Sequence, residues 1–429
     1  MSNSKKIAAV AQFGGPTAVI NRSLVGAVNE LKKHNCIILG PRFGINGVLK
    51  NDFFRLDLFS DSKLDGIRKS PGSYLGTSKF NVNEESSFLI AEKLKELNIS
   101  YFFMIGGDST ASIAKKIRLA AKQINYDLVV FHIPKTIDND VIITDHTPGF
   151  GSAARLVAKA SYGIDQENRS SGGIYGMVVM GRDSGFLAYS STLLRESSSG
   201  PDLVYGPEIN FNLDFFLKDI EDVYSRKGRA FFVLSEGIRY YHYENGKLVY
   251  ENNKIKTTLV VDVASAALKR EVEMEENFGS PSLSAGSDVL VSYITQVIKE
   301  KFGKIRVRIN NLGYLARSFP EVSEIDAVEA EAVGKKAVRL ALSGYEEGSV
   351  AIIRVGHSHN YSVKLEYVPL DDIIGNIKQV PRDWIGSYGK DIGSEFLNYA
   401  GPLVGPIDGF ENLDHLLPKN FEFDKFIRE

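Results

Sequence analysis

Two short runs constrain this chain more than any other feature: Met104-Ile-Gly-Gly-Asp-Ser-Thr110 and Ile133-Pro-Lys-Thr-Ile-Asp-Asn-Asp140. Each follows an apolar stretch that reads as a buried strand, Tyr101 to Ile105 and Leu128 to Ile133. Each then breaks into Gly, Pro, small hydroxyl and carboxylate residues where such a strand should end. In open parallel sheets, ligands sit outside the carboxyl ends of the strands, so chemistry is expected at these two points. Together the runs supply a flexible backbone, the carboxylates of Asp108, Asp138 and Asp140, the cation of Lys135 and the hydroxyls of Ser109, Thr110 and Thr136. That inventory suits a magnesium-bound polyphosphate facing an alcohol that must lose a proton.

Around these runs the chain alternates strand and helix. Ile7 to Gln12 reads as a first buried strand, and Phe13-Gly-Gly-Pro-Thr17 turns it into an amphipathic helix with Leu24, Val25, Val28 and Leu31 on one face. Gly14 and Gly15 let backbone amides approach a ligand, and the following helix start can receive a phosphate. A second loop, Ser70-Pro-Gly-Ser-Tyr-Leu-Gly-Thr-Ser-Lys79, offers amide donors and one cation, Lys79. Alternation continues from Glu84 to Ile133, as in a doubly wound α/β domain. Helix Ser152 to Asp165, the strands Gly172 to Met180 and Ala230 to Leu234, and the strand Lys304 to Ile309 make a second α/β unit. Asn245-Gly246 marks a hairpin turn inside an aromatic insert, Tyr240 to Lys256, to which no function is assigned. A helix from Ile325 to Leu342 and a strand from Val350 to Val355 return the chain to the first unit, and the tail beyond Leu370 reads as irregular but apolar.

The expected fold is therefore α/β, with two doubly wound Rossmann-like domains facing a shared active-site cleft. Residues 1–149, completed by about 317–370, form one domain; 150–316 form the other; 371–429 form a C-terminal extension. A length of 429 residues permits this, and 43% apolar with 24% charged residues is ordinary for a globular protein. A net charge of −2 gives no argument for nucleic acid or an anionic membrane as partner. With Cys36 alone, neither an intrachain disulfide nor a thiolate metal cluster can form. No stretch approaches the roughly 18 apolar residues that a spanning helix needs, and the polar start lacks a secretory signal, so a reducing cytoplasm is expected.

Magnesium prefers one or two carboxylates plus phosphate oxygens and water, a part that Asp108 and Asp140 can take, leaving Asp138 as base for the alcohol. Arg182, Arg308 and Arg317 lie near the ends of apolar runs, where a guanidinium can grip phosphate in forked geometry. Glu236 follows a strand and can accept hydrogen bonds from sugar hydroxyls. His132 reads as a core residue, and His357 and His359 as part of a solvated loop.

Gly106-Gly-Asp108, Pro134-Lys-Thr-Ile-Asp-Asn-Asp140, Met180-Gly-Arg182 and Leu312-Gly-Tyr-Leu-Ala-Arg317 occur in an order and at spacings that resemble the phosphofructokinase family over nearly the whole chain. The resemblance implies phosphoryl transfer to the 1-hydroxyl of fructose 6-phosphate, with Asp138 as base, Asp108 and Asp140 beside Mg²⁺, and Thr136 near the transferred group. It places Met180, Gly181, Arg182, Glu236, Arg308, Tyr314 and Arg317 at the sugar phosphate, and Gly15, Lys79, Gly107 and Ser109 on the donor side. In many members the contact matching Arg308 comes from a neighbouring subunit, which implies a homodimer or homotetramer. Pyrophosphate-using members typically carry aspartate and lysine where this chain has Ser109 and Lys135; ATP-using members commonly carry glycine at both. Lys135, Tyr314 and the tail around Tyr399-Ala-Gly-Pro-Leu403 lean toward the pyrophosphate branch, with ATP as the alternative donor. Gly173 stands where many members have a second arginine, which leaves room for a longer sugar phosphate such as sedoheptulose 7-phosphate. A noncatalytic sugar-phosphate-binding subunit would be expected to lack some of the three aspartates. A nucleotide-dependent oxidoreductase would need a Gly-Xaa-Gly-Xaa-Xaa-Gly after the first strand, and none is there.

Overall fold

The structure, a computed structural model, describes residues 5–78, 80–195, 199–269, 283–356, 360–386 and 389–408. In chain order the first elements are β1 (Ile7–Gln12), α1 (Ile20–Lys33), β2 (Ile37–Pro41), α2 (Ile45–Lys50), β3 (Phe53–Arg55), α3 (Asp61–Lys69) and α4 (Glu84–Glu96). There follow β4 (Ile99–Gly106), α5 (Asp108–Gln123), β5 (Val129–Pro134), α6 (Phe150–Ser171), β6 (Gly173–Val179), α7 (Phe186–Ser190), β7 (Leu203–Tyr205), α8 (Leu213–Lys227) and β8 (Arg229–Ser235). The insert folds as short strands: β9 (Arg239–Tyr241), β10 (Tyr243–Glu244), β11 (Lys247–Leu248), β12 (Tyr250–Glu251), β13 (Lys254–Ile255) and β14 (Thr257–Leu259). The remainder is α9 (Val260–Leu268), α10 (Leu283–Phe302), β15 (Val307–Asn311), α11 (Leu315–Ser318), α12 (Glu324–Leu342), β16 (Glu347–Arg354), β17 (Val363–Val368), α13 (Leu370–Ile373) and α14 (Ser394–Val404).

Two sheets carry the molecule. The larger has seven strands in the order β17-β16-β5-β4-β1-β2-β3, parallel except for its edge strands β3 and β17. The smaller runs β15-β6-β8-β7 and is parallel throughout. Parallel strands are covered on both faces, which is why β1 and β4 read as nearly unbroken apolar runs. Side chains alternate across the pleat. Ala8 and Val10 meet α1 and α12 on one face, while Ala9 and Ala11 meet α4 and α5 on the other. In the second sheet Tyr175 and Met177 pack with α6 and α14, and Ile174 and Val178 with α8 and α10. Cys36 is buried in the first of these cores. Among the described residues no helix is long and apolar enough to cross a membrane.

Several elements differ from the expectation in instructive ways. α6 begins at Phe150, because Asp326 of α12 accepts the Gly149 and Ser152 amides at 2.8 and 2.9 Å and caps the helix from far along the chain. The strand expected at Lys304 to Ile309 lies further on, at Val307–Asn311, and the one expected at Val350 to Val355 starts earlier, at Glu347. The tail is not all irregular: α14 is a helix whose Phe396, Ala400 and Leu403 lie at helical spacing and join the second core. Gly401 and Pro402 hide that helix from a reading by local signals. Asn245 and Gly246 take positive φ in the β10–β11 turn, as expected for Asn-Gly. His357 and His359 lie outside the described residues.

α1 and α12 cross at glycine. A Cβ built on Gly26 would lie 2.2 Å from the Glu331 carbonyl oxygen, and one on Gly334 would lie 2.2 Å from that of Ser23. A methyl at Gly334 gains about 1 kcal/mol of helix propensity but forces the helices apart, an overpacking cost of about 1–3 kcal/mol. The clash should win. Gly334→Ala is expected to lower the urea midpoint of unfolding, and a raised midpoint would show that the crossing is looser than this geometry requires.

Candidate active site

The strand order reverses at β1, which has β2 on one side and β4 on the other. At such a switch point the loops beyond the strand ends diverge and leave a crevice. Gly14 and Gly15 follow β1 there, and Gly107, Asp108 and Ser109 follow β4. β5, next in the sheet, ends at Pro134 and delivers Lys135, Thr136, Asp138 and Asp140. From the second sheet, β6 delivers Met180, Gly181 and Arg182, β8 delivers Glu236, and β15 leads to Tyr314 and Arg317.

The turn after β1 is close-set. Lys135 is buried, and its Nζ donates to the Gly15 carbonyl at 2.6 Å. Gly14 is left-handed at φ 68°, with Lys135 Nζ 3.6 Å from where a Cβ would stand; a Cβ on Gly15 would lie 2.7 Å from the Arg317 guanidinium carbon. Two cations thus press against one glycine turn. Gly107 caps α5 without a side chain, and Ser109 is exposed in that helix's first turn. Lys79 lies outside the described residues.

Asp138 and Asp140 do not sit on an extended segment, where residues two apart would share a face. Asn139 between them is left-handed at φ 57°, a conformation that Asn tolerates, so the chain turns. Thr136 Oγ1 accepts the Asp138 amide at 3.1 Å, and Ser184 Oγ donates to the Asp138 carbonyl at 2.6 Å. Burial, then the charges of Asp140 and Glu236, push the Asp138 carboxyl up to about 7 against the pull of Arg317 and Lys135. Asp140 is also raised, by burial first, with Asp183 adding to it and Lys378 and Lys135 opposing. Asp108 is raised by burial and by Asp140. Burial lowers Lys135 to about 8. Oδ1 of each of the three aspartates is buried with no hydrogen-bond partner among the described residues. Orphaned oxygens and raised carboxyls both describe a place that a cation would relieve. No group of three or more His, Cys, Asp or Glu able to hold a metal appears among the described residues. Asp108 and Asp140 are the carboxylates that could hold an ion such as Mg²⁺, which takes its other ligands from phosphate and water.

At the strand ends of the second sheet, Glu236 is buried, accepts from Ser287 Oγ at 2.8 Å and from the Gly181 amide at 3.4 Å, and is pushed up to about 7 by burial. Met180 is buried, and Arg182 is half-buried with its charge felt by Glu236. The Arg317 guanidinium lies 4.5 Å from the centre of the Tyr314 ring. Arg308 is not gathered here. It is exposed on the edge strand β15, and among the described residues no hydrogen bond or ion pair links it to the cluster. Gly173 opens β6, at the end away from Met180, about 23 Å along an extended strand. Its φ of 95° and the Arg306 carbonyl 2.6 Å from its Cβ position make glycine a local backbone requirement.

Four residues near the site are not among the expected site residues, although Tyr399 stands in the family-like run Tyr399-Ala-Gly-Pro-Leu403. Asp183 and Arg239 pair at 3.1 Å behind Arg182. Lys378 and Tyr399 reach the loop after β5 from the tail, and neither carries a local signal. His132 is the core residue expected: buried, neutral, donating from Nε2 to the Gly106 carbonyl at 2.9 Å and accepting from Ser349 at Nδ1, with burial lowering it to about 4.

Residues 7–341 match the family model described as Phosphofructokinase. The chain is 39% identical over 400 residues to a pyrophosphate–fructose 6-phosphate 1-phosphotransferase of Rhodospirillum rubrum, covering 92% of this chain and 93% of that one. It is 31% identical to the protein of the same name from Halomonas elongata, covering 95% and 94%. A crystal structure of the pyrophosphate-dependent phosphofructokinase of Nitrosospira multiformis superposes with a TM-score of 0.77 at 26% identity, over 98% of this chain and 99% of that one. With glycine turns, aspartates and arginines at the ends of two parallel sheets, this chain belongs to the phosphofructokinase family.

Proposed function

We propose that this chain transfers a phosphoryl group from pyrophosphate to the 1-hydroxyl of fructose 6-phosphate, giving fructose 1,6-bisphosphate. The observation that carries the donor assignment is the meeting of Lys135 and Arg317 on the Gly14–Gly15 turn. A diphosphate lacks the adenosine through which ATP gains binding surface, and must be held by charge alone; two cations at one turn provide it. The names of the relatives at 39% and 31% identity support the same donor. Ser109, small and uncharged where aspartate would repel a nucleotide, favours ATP as the second reading.

In this reading Asp138 removes the proton from the sugar hydroxyl, and its raised carboxyl matches a base working near neutrality. Lys135 and Thr136 face the group in transfer. Arg182 and Tyr314 hold the sugar phosphate together with Arg317, whose place against the Gly14–Gly15 turn sets its guanidinium between the sugar phosphate and the donor; Glu236 accepts from sugar hydroxyls, and Met180 and Gly181 shape the floor. Gly14, Gly15, Gly107, Ser109 and Lys79 line the donor side. Asp108 and Asp140 would hold Mg²⁺, which when bound neutralises charge on the diphosphate. Residues 1–149 with about 317–370 act as the donor domain and 150–316 as the sugar-phosphate domain, with 371–429 as the extension. Arg308, exposed at a sheet edge, serves the site of a second copy in a homodimer or homotetramer. The cytoplasm is the matching compartment.

Three measurements test this. With Mg²⁺ and fructose 6-phosphate, turnover with pyrophosphate should greatly exceed that with ATP at equal concentration, and the pyrophosphate reaction should run in both directions, since pyrophosphate and fructose 1,6-bisphosphate are comparably energetic phosphoryl donors. A preference for ATP would reassign the donor. Asp138→Ser should lose roughly 10²–10⁴-fold in kcat, and a loss within about threefold would remove Asp138 as base. The third concerns stability. A carboxyl raised on folding is penalised in full above its folded value of about 7, and the penalty fades as it takes up a proton toward its unfolded value of about 4. Asp138→Asn should therefore stabilise the ligand-free protein by about 1–2 kcal/mol at pH 8, with the gain shrinking toward pH 5. A gain that grew on acidification would contradict the electrostatics of the cluster.

A further inference from the structure

The loop carrying Asp138 and Asp140 has no regular structure to hold it, yet it is held in a costly shape. Asn139 and Ile143 are both left-handed, at φ 57° and 68°. For Asn this is tolerable; for the β-branched Ile143 it costs of the order of 1–2 kcal/mol, and such a conformation persists only where surroundings over-determine it. The surroundings here come from the far end of the chain. The Lys378 amide donates to the Asp140 carbonyl at 2.8 Å. Its Nζ donates to Asn139 Oδ1 at 2.8 Å, to the Thr144 carbonyl at 3.1 Å and to the Asp145 carbonyl at 2.9 Å. Tyr399 closes the same ring: its hydroxyl accepts from Asn139 Nδ2 at 2.7 Å and donates to the Asp145 carbonyl at 2.6 Å.

We infer that Lys378, assisted by Tyr399, is a positioning residue for the reacting carboxylates, fixing the loop from Asn139 to Asp145 so that Asp138 and Asp140 keep their places. An ammonium has three donors and no acceptor, and the acceptors around Nζ use all three. The bonds fall on both sides of Asp140. A lysine that merely stapled the tail to the body would have no need to bracket a catalytic carboxylate, nor to spend its donors on two carbonyls that a left-handed Ile143 turns toward it. The ammonium also stands 5.3 Å from the Phe186 ring centre, and Phe186 is part of the second core, so the cation has a fixed seat. This inference rests on the roles proposed above for Asp138 and Asp140.

The test uses Lys378→Ala in the full chain. A misplacement of about 1 Å can cost on the order of 10²-fold, so kcat with pyrophosphate should fall about that much while KM for fructose 6-phosphate stays within about threefold. In the ligand-free protein, amide hydrogen exchange over 139–146 should quicken at least about tenfold while that of β1 and β4 is unchanged. A cavity of about 390 Å³ lined by Phe186, Lys378, Trp384 and Tyr399 gives small amines access. Added propylamine should therefore restore part of the lost turnover. Retained kcat, or lost kcat with unchanged exchange in the loop, overturns the inference. Should the alanine variant not fold, Tyr399→Phe decides: it keeps the ring and removes only the hydroxyl, and should lower kcat several-fold and quicken exchange in the same loop, whereas an unchanged loop overturns the inference. Absence of any turnover in the unmodified protein would instead count against the proposed function, and the exchange comparison would still decide whether Lys378 holds the loop.

Discussion

Like charges held together against their repulsion are the condition on which the site depends. Asp108, Asp138 and Asp140 each keep one buried oxygen without a partner, and burial raises all three carboxyls. Free to move, such groups would turn toward water. They cannot, because each is anchored through backbone: Asp108 in the first turn of α5, Asp138 by the Thr136 and Ser184 hydroxyls, Asp140 by the Lys378 amide. The fold therefore carries an electrostatic cost that a cation would relieve. Sites tuned for a charged ligand are often unstable without it.

Holding charges in place is a matter of topology before side chains. Parallel strands end in the same direction, so β1, β4 and β5 bring three loops to one edge, and β6, β8 and β15 bring three more. Two sheets can face one another only if something ties them. α6 leads out of the catalytic loop into the second sheet, and its start is fixed by Asp326 on α12, a helix packed against the first sheet. α12 in turn lies on α1 by virtue of Gly26 and Gly334. The Gly149 amide that Asp326 holds is three residues beyond His146, so the helix cap fixes the chain just after the loop that Lys378 and Tyr399 hold.

The parts of this arrangement that are legible in sequence are those with local causes. Apolar runs ending in Gly, Pro and Asp announce β4 and β5 and the carboxylates after them, since strand period and turn chemistry act over a few residues. Asn245-Gly246 announces its turn for the same reason. What depends on contact between distant segments is silent. Asp326 reads as one more acid in a helix, yet it caps another helix; Gly334 reads as a flaw in a helix, yet it is the point of closest approach. Arg308 reads as a strand-end arginine but stands near the start of β15, exposed on the edge of the second sheet, a place set by the strand order. Gly173 stands where a cation was expected to be missing from the sugar site, but within this chain it lies at the other end of β6.

Lys378 shows why the last of these connections had to be non-local. In a strand, residues two apart would share a face, but β5 ends at Pro134, so the carbonyls of the segment carrying Asp138 and Asp140 have no neighbouring strand to supply their donors. Turned at Asn139 and again at Ile143, the chain leaves its carbonyls pointing inward, and buried carbonyls must find donors. The donors come from groups long enough to reach in from another layer: the Ser184 hydroxyl, the Lys378 amide and ammonium, and the Tyr399 phenol. An apolar tail could cover the second core, as α14 does, but could not satisfy this loop. The tail therefore carries a lysine and a tyrosine at the point where it passes behind the aspartates, and the geometry of a loop set early in the chain is completed by residues far along it.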